Sequence, residues 1–148
     1  MATAAGRTGG ARSPAQTFAL VFGAVYLLIG LVGFAVTGFN DFAAFSTEEL
    51  IIFHINPLHN LVHIAIGALW ISAASDHSKA KSVNTLIGVV YLLVALLGFL
   101  HTPDKVMEWL NIHEASDPDN FLHLVSGAAG LFFGTAGAEG GATRAPAA

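Results

Sequence analysis

The chain contains no cysteine. That excludes disulfides, iron–sulfur clusters, thiolate zinc sites and cysteine nucleophiles at a stroke. Charge is almost as scarce. Asp, Glu, Lys and Arg make up 11% of the 148 residues, and none of them occurs between Ser13 and Asn40, from Leu50 to Ser75, from Ser82 to Pro103, or from Asn120 to Ala138. A soluble bundle would need charged outer faces to meet water, and these four stretches offer none. Also missing are a phosphate-binding glycine loop, a nucleophile elbow and a basic surface for nucleic acid, since the glycines lie in the apolar stretches or the termini. The stretches carry neither the paired charges nor the broken helices of a channel or transporter. The residues assign no reaction and point away from an enzyme, so no catalytic residue is named.

What the chain does have is apolar surface, with 54% hydrophobic residues and a mean hydropathy of +0.65. A spanning helix needs about 20 mostly apolar residues, and each uncharged stretch is long enough. The expected fold is all-α: a membrane-embedded four-helix bundle with spans near 17–39, 57–75, 83–101 and 118–136. Residues 1–16 and 137–148, rich in Ala, Gly and Thr, read as disordered tails. The first span is too long for a signal sequence and lacks an Ala-x-Ala exit. Arg7, Arg12, Lys79, Lys81 and Arg144 fall on one side and only Lys105 on the other, so the positive-inside rule puts both termini in the cytoplasm of a bacterium, the chain being multi-pass in its plasma membrane. The opposite face collects Asp41, Glu48, Glu49, Asp104, Glu108, Glu114, Asp117 and Asp119, with His54, His101 and His113.

The main pattern occurs twice. Val25-Tyr26-Leu27-Leu28 returns as Val90-Tyr91-Leu92-Leu93, and Asn60-Leu61-Val62-His63 with Gly67 returns as Asn120-Phe121-Leu122-His123 with Gly127. Two hairpins that begin on the same side imply parallel repeats about a pseudo-twofold axis along the membrane normal. Each outer loop is expected to hold a short interfacial helix, the first opened by Ser46-Thr47-Glu48-Glu49 and the second by Thr102-Pro103. Trp109 suits the headgroup boundary, and Trp70 reads as an anchor at the cytoplasmic end of its span. Gly130 and Gly134, at GxxxG spacing, suit either packing within the bundle or self-association.

Asn56, Asn60, His63 and Gly67 lie on one helical stripe with His59 beside it, and Asn120, His123 and Gly127 repeat that stripe with Asp119 in the place of His59. A polar side chain at such depth faces the bundle interior or a wet cavity. Three readings follow. His59, His63, Asp119 and His123 can converge on a divalent metal such as zinc or copper. His63 and His123 can be axial ligands to a b-type haem, with Gly67 and Gly127 giving the ring room. Or the stripe is interhelical hydrogen bonding, in a structural protein whose partners are the lipid bilayer and another membrane protein or further copies of itself. Tyr26 and Tyr91, near mid-span in both copies, are explained by hydroxyl bonds to backbone carbonyls across a helix pair.

From Tyr26-Leu27-Leu28-Ile29-Gly30 through Asn56-Pro57-Leu58-His59-Asn60-Leu61-Val62-His63 to Asn120-Phe121-Leu122-His123 and Gly127, the layout resembles a family of small actinobacterial membrane proteins, domain-of-unknown-function family 4383. The resemblance implies a four-span integral membrane protein and supplies no reaction, cofactor or partner.

Overall fold

The computed structural model describes residues 11–101 and 105–136. These form five helices and one small hairpin: α1 (Pro14–Thr37), β1 (Glu49–Leu50), β2 (Phe53–His54), α2 (Pro57–Ala73), α3 (His77–Phe99), α4 (Lys105–Trp109) and α5 (Pro118–Thr135). The fold is all-α. The expected tail at 137–148, most of the one at 1–16, and the cap at Thr102-Pro103 lie outside the described residues.

Local chemistry sets where each helix begins. Ser13 and Gln16 make a reciprocal capping box, Gln16 N donating to Ser13 Oγ at 3.3 Å and Ser13 N to Gln16 Oε1 at 3.1 Å, with Pro14 in the first turn. The helix therefore starts ahead of the expected Thr17. In the same way Asp76 accepts from Lys79 N at 2.8 Å and starts α3 at His77 rather than near Val83. Asn56 caps α2 by accepting from His59 N at 2.9 Å. Asp117 precedes Pro118 at the start of α5 but turns its carboxylate backward, accepting from His113 N at 2.7 Å and Glu114 N at 3.0 Å.

The long helices pack most extensively as two pairs, α1 with α2 and α3 with α5, and the pairs meet along α1–α3, α2–α3 and α1–α5. Glycines let the paired backbones approach. A Cβ on Gly67 would lie 2.5 Å from Leu27 N, and one on Gly127 would lie 2.9 Å from Leu92 N. Gly130 packs on Gly88, and Gly134 on Thr85, so the GxxxG pair serves the α3–α5 contact inside the bundle. One end of the core is aromatic: Phe18, Tyr26, Trp70 and Tyr91 are buried together, with Phe18 and Tyr26 edge-on to Trp70.

Two expectations are corrected here. The first outer loop is a β-hairpin, with Glu49 paired to His54 and Leu50 to Phe53, where a helix is expected from Ser46-Thr47-Glu48-Glu49. The Ser46 hydroxyl accepts from Glu48 N, two residues on, and so caps nothing; Glu49-Leu50 and Phe53-His54 are the two short strands, and Ile51 and Ile52 make the turn between them, Ile51 at φ 66°. The second outer loop does contain a short helix, α4. Trp70 is fully buried in the core, not an interface anchor, because the aromatic rings of α1 and α3 close over it.

Across the long helices the polarity is inverted. Asn56, His59, Asn60, His63, Asn84, Asp119, Asn120, His123 and Ser126 are buried. Val21, Val25, Leu28, Leu31 and Val32 of α1 and Leu86, Val89, Val90, Leu93 and Leu96 of α3 face outward and are exposed. Both helices are long and apolar enough to cross a membrane, while α2 has 17 residues and α5 has 18.

Candidate metal centre

α2 and α5 bring their histidines into the middle of the bundle. His59 and His63, one turn apart on α2, have ring centroids 4.5 Å apart, and His59 stands 6.3 Å from His123 of α5. One ring nitrogen from each of His59, His63 and His123 lies within 4.8 Å of the other two. All three residues are buried. Asp119, equally buried, joins the group from the first turn of α5, its Oδ1 3.8 Å from His59 Nε2. That separation is too long for a hydrogen bond.

Both ring nitrogens of His63 and Nδ1 of His123 have no hydrogen-bond partner among the described residues, whereas the His59 ring has the His54 and Leu110 backbone beside it, outside good hydrogen-bond geometry. An unpartnered buried polar atom costs about 1–3 kcal/mol, and such atoms are ordinarily satisfied. A neutral imidazole has one ring nitrogen with a free lone pair, so the three rings can present three nitrogen ligands at one point. Tetrahedral nitrogen ligands at about 2.0–2.1 Å from a metal stand about 3.3 Å from one another, against separations of up to 4.8 Å between these ring nitrogens.

The asparagines of the stripe do different work. Asn60 donates to Thr37 Oγ1 at 3.0 Å and lies against Gly33, where a Cβ would collide with its carboxamide. Asn120 donates to Glu114 O at 2.9 Å and to Ala115 O at 3.2 Å, and presses on Gly98 in the same way. Asn56 donates to Ala44 O at 3.2 Å and Trp109 O at 2.9 Å, tying both outer loops to α2. The stripe thus divides: asparagines hold backbone and helix pairs, histidines converge.

Gly67 and Gly127 face Leu27 and Leu92 of their partner helices. The space left by their missing side chains is taken by the partner helices, the Leu27 backbone at Gly67 and the Leu92 side chain and backbone at Gly127.

Two tyrosines flank the histidines. Tyr26 is edge-on to His63 at 5.2 Å, and Tyr91 lies 5.0 Å from His123. The Tyr26 hydroxyl donates to Ser126 Oγ at 2.8 Å, a side-chain partner in place of the expected carbonyl. Ser126 is invisible to sequence reasoning because it has no repeated counterpart; the tyrosines are signalled by their repetition. Of the remaining histidines, His54 contacts Glu49 at 3.0 Å, His77 contacts Ser13 at 2.7 Å and His113 contacts Asn111 at 3.0 Å, all away from the centre.

No curated protein and no solved structure matches the chain. A family model does, across residues 16–136. That stretch holds all four long helices, the three imidazoles and Asp119, and by it the chain belongs to the family described as a domain of unknown function, DUF4383.

Proposed function

We propose that this is a four-span protein of the bacterial plasma membrane that holds a divalent metal ion on His59, His63 and His123, with Asp119 beside them. The observation that carries the metal reading is the convergence of one ring nitrogen from each of three buried imidazoles. Three imidazoles and a carboxylate suit zinc, copper, iron or nickel, and His₃ sets keep a coordination position open for chemistry. No reaction is assigned to that position.

Support for the membrane comes from the inverted polarity. Exposed valine and leucine along α1 and α3 surround an Asn-, His- and Tyr-rich interior, the reverse of what water selects and what acyl chains require. At 1.5 Å per residue α2 and α5 are about 26 and 27 Å long, at the short end for a span, and α4 and the hairpin extend the bundle at their outer ends. The basic residues keep both termini inside, and the acidic outer loops gather cations near the site. The domain runs over about 17–136 as two duplicated hairpins: Gly33 with Asn60 and Gly98 with Asn120 are equivalent contacts, as are Tyr26 with His63 and Tyr91 with His123.

Purification in mild detergent without chelator, followed by elemental analysis and a visible spectrum, tests the reading. One ion per chain, lost in His63→Ala and in His123→Ala, is the expected result. A Soret band lost in the same variants favours haem. Protein that stays metal-free after incubation with zinc and copper leaves only the structural role.

A further inference from the structure

The imidazoles form the floor of a cavity of about 430 Å³ that lies between α2 and α3 beneath α4. Its walls are Val62 and Ile66 of α2, Val90 and Val94 of α3, and Val106 and Trp109 of α4. Polarity and exposure change together along it. At the mouth Val90, Val106 and Trp109 are 43%, 46% and 49% exposed, whereas His59, His63, His123 and Tyr91 at the floor are exposed by 3% or less. The volume lies in the range of about 300–1,000 Å³ usual for small-molecule sites, which combine apolar walls with a few convergent polar groups.

Asp119 is not among the residues that line the cavity. A mouth of valine and tryptophan admits a hydrated anion or a sugar poorly, because each would shed its water without replacement hydrogen bonds. A molecule already dissolved among acyl chains sheds none. Resting on the metal reading above, we infer that the open coordination position faces this cavity and accepts the oxygen head of a lipid-soluble ligand entering sideways from the bilayer between α2 and α3. The ligand class is an apolar body ending in one uncharged carbonyl or hydroxyl group. The head meets the metal, and the body lies along Val62, Ile66, Val90 and Val94.

The test uses Co²⁺-loaded full-length protein in lipid nanodiscs, with the visible bands of the ion reporting its coordination. Acetohydroxamate and octanohydroxamate present the same metal-binding head on a short and a long tail. Both are titrated into wild type and, separately, into Val62→Phe and Val94→Phe, which put a larger side chain on the cavity wall and leave every ligand residue unsubstituted. An unchanged Co²⁺ spectrum before titration shows that a variant is folded. Because all proteins share the same lipid, partition of the long probe cancels in the ratio. The expected result is acetohydroxamate affinity within about twofold of wild type and octanohydroxamate affinity at least about tenfold weaker in the variants, the equivalent of about two buried methylenes. Equal losses for both probes, or none for either, overturn the inference and leave the metal site standing. Absence of Co²⁺ bands before any probe is added overturns the metal reading, and the inference with it.

Discussion

Nε2 of His59 lies 3.8 Å from Oδ1 of Asp119, both residues fully buried and neither atom bonded to the other. They belong to different helices, α2 and α5, and each directly precedes the repeated asparagine, His59 before Asn60 and Asp119 before Asn120. A place where the buried polar residues differ between the two halves is thus where imidazole faces carboxylate.

Asp119→Asn keeps the shape and removes the charge. Competition with a chromophoric chelator is expected to show metal affinity reduced about 10–100-fold, the usual effect of removing a carboxylate that supports a histidine ligand set. Unchanged affinity would remove Asp119 from the site.

Gly33→Ala drives a methyl into the Asn60 carboxamide. A forced repacking of this kind costs about 1–3 kcal/mol, whereas Asn60→Ala alone loses only the bond to Thr37, worth about 0.6 kcal/mol in a membrane protein. In reversible unfolding from mixed micelles the double variant is expected to lose less than the sum of the two. Gly98→Ala with Asn120→Ala is expected to follow the same rule, and strict additivity in both pairs would contradict the packing described.

Trp70 and Trp109 are the two tryptophans of the chain, one fully buried and the other 49% exposed. Dibrominated lipid is expected to quench Trp109 in the Trp70→Phe protein and to leave Trp70 unquenched in the Trp109→Phe protein. The opposite pattern would restore Trp70 as an anchor at the lipid surface.

The two outer loops are latched by Asn111, which accepts from Ser46 N at 3.0 Å and donates to Ser46 O at 2.8 Å while holding φ at 60°. Asn111→Ala loses both bonds and the residue type that tolerates this backbone. Hydrogen exchange of the Ser46 amide is expected to speed up at least about tenfold, the equivalent of about 1.4 kcal/mol. Asn111→Gly restores the backbone but not the bonds, so fast exchange there too identifies the side chain as the latch.

The long helices are legible in the sequence because four uncharged runs have no other use, and the centre is legible because His63 and His123 recur with their asparagines. The helix starts are written locally as well: Ser13-Pro14-Ala15-Gln16 carries capping-box spacing. What sequence conceals is direction. Asn60 and His63 share a stripe, yet the first turns to α1 and the second to the bundle centre, a difference of tens of degrees that no repeat encodes. Trp70 near a span end looks like an anchor until the rings of Phe18, Tyr26 and Tyr91 are seen around it. The hairpin at Glu49–His54 is hidden because Ser-x-x-Glu spacing fits a helix, and because its turn is made by Ile51 and Ile52, residue types that do not mark a turn.

The central claim is that imidazoles from both halves share one ion. Pulsed electron paramagnetic resonance of the Cu²⁺-loaded protein counts coordinated imidazoles through their remote nitrogens. Three imidazoles in the wild type, and two in each of His59→Ala, His63→Ala and His123→Ala, is the result expected. A count that stays the same when His63 or His123 is replaced would place the copper elsewhere and contradict the account.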